Sequence, residues 1–140
     1  MSNEFTFRRQ DAELNESKAL PAAQSTAVNQ TAIDLGQTPA QGALLAGCEL
    51  EIGAPALGAT PLPNGTTLTY SVEDSADNLS FATIADAVLV QTGAAGAGAA
   101  AATKRFRLPT SVRRYVRAVA TTGAGTGDCS GSEFTQKLLT

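Results

Sequence analysis

The chain has 140 residues, a net charge of −3 and no histidine. That length suits one domain with a real core. The missing imidazole removes the usual general base near neutral pH and the commonest metal ligand. Aromatics make up 5% and tryptophan is absent, so Val, Leu, Ile and Ala must build the core. No apolar run approaches the ~18 residues of a membrane span.

Residues 1–30 read as an N-terminal arm. Polar and charged side chains dominate there, with scattered anchors at Phe5, Phe7, Leu14 and Leu20, and Pro21 favours an extended chain. Met1-Ser2-Asn3-Glu4 lacks a basic region leading into an apolar stretch, so no secretory signal is expected.

Residues 31–140 read as a β-sandwich domain, with short strand patterns separated by turn signals. Thr31 to Leu35 is a short strand ended by Gly36. Cys48-Glu49-Leu50-Glu51-Ile52 alternates, with Cys48, Leu50 and Ile52 inward and both glutamates outward. Pro61 to Gly65 is a loop. Thr66 to Asp74 alternates again, with Leu68, Tyr70 and Val72 inward. Asp74 to Asn78 is the polar turn of a hairpin, and Leu79 to Ile84 is its return strand. Ala85 to Gln91 continues that strand past a bend or forms another.

Gly93 to Ala102 contains only Gly and Ala. Such a segment is a flexible tip unless it lies against another surface, because ordering glycine costs entropy that methyl groups hardly offset. Thr103 to Leu108 and Arg113 to Thr121 are strands around a Pro109–Val112 turn. Glu133 to Leu139 is the last strand, with Phe134, Gln136 and Leu138 on one face. The fold class is therefore all-β, with two antiparallel sheets face to face. Jelly-roll, immunoglobulin-like and fibronectin-like topologies all satisfy this strand count.

Catalytic signatures are missing. The Gly93–Gly98 pattern lacks the Lys-Ser/Thr element and the strand-to-helix context of a phosphate loop. Glu73, Asp74 and Asp77 form the densest acidic group, and read as a solvated turn, with a weak calcium site as the alternative. Cys48 and Cys129 form no metal or redox motif and are expected to be free thiols. The chain is expected not to be an enzyme, with no cofactor, no metal, no membrane and no direct nucleic-acid partner.

Six of the ten Lys and Arg residues fall between Lys104 and Arg117. Arg105 and Arg107 share one strand face, opposite Phe106 and Leu108. In the next strand Tyr115 and Arg117 oppose Val116 and Ala118. If these strands paired, their guanidinium groups would cluster at one edge. Either they pair with local carboxylates, worth ~0–1 kcal/mol each, or they engage an acidic partner through bidentate bonds.

The segment Leu108-Pro109-Thr110-Ser111-Val112-Arg113-Arg114-Tyr115-Val116-Arg117, followed by a Gly-rich bend and a closing strand, resembles the C-terminal part of small capsid cement (decoration) proteins of tailed bacteriophages, of the Bordetella short-tailed phage type. Asp34-Leu35-Gly36 at the end of a short strand, Tyr70-Ser71-Val72-Glu73-Asp74-Ser75 and the overall length are similar too. The resemblance implies a jelly-roll-like antiparallel β-sandwich with an extended N-terminal arm. It implies a virion location on the outer capsid surface after synthesis in the host bacterial cytoplasm. The partner would be the major capsid protein, bridged by a homodimer or homotrimer at capsid symmetry axes. The interface candidates are Arg105, Arg107, Arg113, Arg114 and Arg117, with Phe5, Phe7, Arg8 and Arg9 anchoring the arm. The rival expectations are a carbohydrate-binding β-sandwich module, which would need exposed aromatic platforms, and a head–tail or tail structural subunit.

Overall fold

Period-two alternation is strongest where the chain is most deeply buried. In β4 (Glu49–Ala54) Leu50 and Ile52 are fully buried, while Glu49 and Glu51 face outward. In β5 (Thr67–Ser75) Leu68, Tyr70 and Val72 point into the same core. In β9 (Glu133–Leu139) Phe134, Gln136 and Leu138 do so. The computed structural model describes residues 15–36 and 48–139, and every strand pairing in it is antiparallel.

The remaining strands are β1 (Asn15–Ala19), β2 (Ala27–Asn29), β3 (Ile33–Asp34), β6 (Ala82–Thr92), β7 (Ala102–Arg107) and β8 (Tyr115–Thr122). One sheet has the order β1-β9-β4-β7. The other has the order β2-β8-β5-β6, with β3 following β2 along the same side of β8. Counting β2 and β3 as one interrupted strand, the first strand pairs with the last, the second with the next to last, and so inward to the β5–β6 hairpin. That is a single long hairpin rolled into two layers, the jelly roll. The all-β sandwich expected from the alternation is therefore what forms, in the topology implied by the family resemblance.

Several local expectations are corrected. Residues 15–30, assigned to the arm, supply β1 and β2. Their side chains are mostly polar, so backbone pairing with β9 and β8 and the buried Leu20 hold them in place. The rest of the expected arm lies outside the described residues. Asp74 is no turn residue, because β5 runs on to Ser75 and the turn falls over 76–81. Residues 82–92 form one strand, bent where its register to β5 shifts and Ala87 takes a φ of 51°.

Loop 93–101 is packed. Leu57 and Ala99 exchange backbone hydrogen bonds of 2.9 Å, and Ala94 pairs with Gly98. A side chain at Gly98 would collide with the Leu57 carbonyl oxygen, so glycine is what lets the two loops touch. Further backbone bonds, Gly65 to Gly93, Gly127 to Pro61 and Cys129 to Pro21, tie the loops at this end together.

Two glutamines stitch the layers. The break between β2 and β3 leaves the Ala118 N–H of β8 without a ladder partner. The fully buried Gln136 of β9 accepts from it at 2.8 Å and donates to the Thr31 carbonyl at 2.6 Å. In the reverse direction, Gln30 donates to the Phe134 carbonyl at 2.7 Å.

Candidate functional site: the basic segment 104–117

The basic segment is split between the two sheets. β7 belongs to the β4 sheet and β8 to the β5 sheet, so they do not pair across the Pro109 loop. The loop is a bridge between layers, anchored by Leu108 and Val112 in the core. The guanidinium groups therefore do not gather at one edge. Arg105 and Arg107 lie on the outer face of one sheet, Arg117 lies on the outer face of the other, and Arg113 and Arg114 lie in the loop between them.

Four of the arginines find carboxylates within the chain. Arg113 makes the most elaborate contact. Its backbone N–H donates to Asp74 Oδ2 at 3.0 Å, while Nε and Nη2 donate to Oδ1 at 2.9 and 2.7 Å. Nη2 also donates to the Asp74 carbonyl at 2.8 Å. Arg114 holds Asp34 with two parallel bonds of 2.8 and 2.9 Å. Together with the Gly36 N–H, that fork keeps the Asp34 carboxyl below its usual range. Arg117 donates to Glu73 at 2.9 Å and stacks over the Phe81 ring, 3.7 Å from its centroid. Arg105 donates to Glu51 at 3.0 Å, across the β4–β7 pairing.

These partners define the chemistry of the acidic residues too. Both Asp74 oxygens are taken by Arg113. The Asp77 carboxylate accepts from Ser75, Leu79 and Ser80, which lowers its pKa to about 2. The calcium alternative for Asp74 and Asp77 is therefore displaced, and among the described residues no cluster of three metal-ligating side chains occurs. Cys48 and Cys129 are both buried, Cys129 as a free thiol, and burial pushes the Cys129 pKa up. Tyr70 is buried, donates to Gln91 at 2.8 Å and offers no surface platform. Tyr115 is half-buried beside Arg114.

The least committed cations are on β7. Lys104 and Arg107 are exposed and make no ion pair among the described residues, and Arg105 remains half exposed despite Glu51. The strand ends its sheet, with β4 on one side and no strand on the other among the described residues. Sequence reasoning located these cations by composition. It missed Asp34, Asp74 and Phe81, far away in sequence, as the neighbours of Arg114, Arg113 and Arg117. The arm candidates Phe5, Phe7, Arg8 and Arg9 lie outside the described residues.

No protein-family model matches the chain, and no curated protein matches it. Among solved structures, it is similar to one described as the crystal structure of PBSX exported protein XepA, with 22% sequence identity and a TM-score of 0.48. The match covers 99% of this chain and 38% of that one, so the chain spans well under half of the length of that protein.

Proposed function

We propose that this chain is a capsid decoration protein, which binds the outer surface of a phage head and bridges major capsid subunits to stabilise the shell. The observation that carries the reading is the jelly-roll strand order, which the sequence resemblance to cement proteins implies and the other sandwich topologies would not have produced. A fold alone does not name a function, so the surface has to supply the contact. Lys104, Arg105 and Arg107 present a basic margin suited to acidic groups on a capsid subunit or on a sister copy in a dimer or trimer. Arg113, Arg114 and Arg117, each held by an internal carboxylate, serve the fold first. Binding only to the assembled shell would stabilise it by mass action, because free subunits lack the composite site.

The test is loading onto purified heads that lack the protein. The wild type should saturate the heads and raise the temperature at which they release DNA. Arg107→Glu combined with Lys104→Glu should lower occupancy while leaving the melting temperature of the free protein unchanged. Heads that take up no wild-type protein would overturn the reading.

A further inference from the structure

We propose that the open edge of β7 takes an extended acidic segment of a partner protein as an added β-strand. The inference deepens the decoration reading by naming the shape and charge of the contact. The starting point is the direction of the backbone groups. Leu108 donates to the Cys48 carbonyl at 3.0 Å, which fixes the phase of the β4–β7 ladder. In an antiparallel pair, hydrogen-bonded and non-hydrogen-bonded positions alternate. Ala102, Lys104 and Phe106 therefore turn their N–H and C=O groups toward β4. Thr103, Arg105 and Arg107 turn theirs away, toward the open side. All three are exposed.

The residues with the outward backbone groups thus include the two arginines of the outer face. Lys104 adds a third cation from the opposite face. Its register partner is the buried Ile52, yet Lys104 itself is exposed. Three of the four residues from 104 to 107 are basic, and β7 carries no acidic residue. A charge on the inward face of an edge strand works against pairing with a like-charged edge. A second β7 edge would bring three cations against three. An acidic strand meets complementary charge and unpaired backbone at once, the combination that strand addition uses.

The probe is a capped peptide, Thr-Glu-Val-Glu-Val-Thr, titrated into the isotopically labelled full chain, with Thr-Lys-Val-Lys-Val-Thr as control. The Glu peptide is expected to shift the amide signals of Thr103, Arg105 and Arg107 and slow their hydrogen exchange. Its binding should weaken as ionic strength rises from about 0.05 to 0.5 M. Lys104→Glu with Arg107→Glu should cost about tenfold in affinity. Thr103→Pro keeps every cation and removes one outward donor, so loss of binding in that variant separates strand addition from plain charge attraction. The proposal is overturned if the Glu peptide leaves β7 unchanged at millimolar concentration, if the Lys peptide binds as well, or if Thr103→Pro binds normally while folded. It is also overturned if the free chain self-associates through β7, which would make a second copy the occupant. The experiment needs no heads, so it fails separately from the loading assay.

Discussion

Asp74 and Arg113, 39 residues apart, are joined by four hydrogen bonds. Asp74 sits at the inner face near the end of β5 and is almost fully buried. Arg113 closes over it from the β7–β8 loop, so the pair fixes where the chain crosses from one sheet to the other. A buried carboxylate needs such compensation, because taking its charge out of water is costly.

Asp74→Ala should therefore destabilise the fold by about 2 kcal/mol, the cost of leaving the Arg113 backbone N–H without its acceptor and losing a charged contact. Asp74→Asn keeps an acceptor oxygen and should lose less. Chemical denaturation of both variants measures the order. Equal stability of Asp74→Ala and the wild type would show the contact to be dispensable.

Gln136 makes a second prediction. Replacing it by Leu preserves bulk but strands the Ala118 N–H in the core and removes the donor to the Thr31 carbonyl. The expected loss is about 1–3 kcal/mol. Hydrogen exchange offers a local readout, since the Ala118 amide should exchange faster in Gln136→Leu than in the wild type, relative to the Leu50 and Ile52 amides of β4.

The sequence disclosed the strands that bury one face and hid those that do not. β4, β5 and β9 alternate because every second residue enters the core. β1, with the sequence Asn-Glu-Ser-Lys-Ala, has no apolar period to read, and only its register with β9 makes it a strand. The basic segment was legible as charge but not as pairing. Arg114 and Asp34 are 80 residues apart, and Arg117 and Glu73 are 44 apart. Nothing local says that a rolled hairpin brings them together. The same roll separates Arg105 from Arg117, which sequence proximity alone had made neighbours.

The two glycines of the Gly/Ala loop with positive φ should respond differently to alanine. Gly96 has a φ of 69° and open space around it, so Gly96→Ala incurs only the left-handed penalty of roughly 1–2 kcal/mol. Gly98 has a φ of 64°, and a Cβ there also meets the Leu57 and Gly58 backbone. Gly98→Ala should lower the melting temperature well beyond Gly96→Ala and break the Leu57–Ala99 pairing. Matching melting temperatures for the two variants would mean that the close approach of the loops contributes nothing.

Acid titration should single out the β5–β6 turn. Asp77 accepts hydrogen bonds from the Leu79 and Ser80 N–H groups and lies close to the Ser75 hydroxyl, which favours its ionised form and lowers its pKa from 3.8 to about 2. A carboxylate whose folded pKa lies below its unfolded value contributes stability above the unfolded pKa and loses it as pH falls through the folded one. The Asp77 contribution is therefore complete above about pH 4 and disappears as pH falls to about 2. Carboxyl carbon shifts followed by NMR should show Asp77 still largely ionised at pH 3, where an unperturbed aspartate is mostly protonated. The Leu79 and Ser80 amide signals should move with the same midpoint, because they report the loss of their acceptor. Asp77→Ala should abolish that transition. A midpoint for Asp77 near 3.8 would show that the turn's hydrogen bonds do not hold its charge.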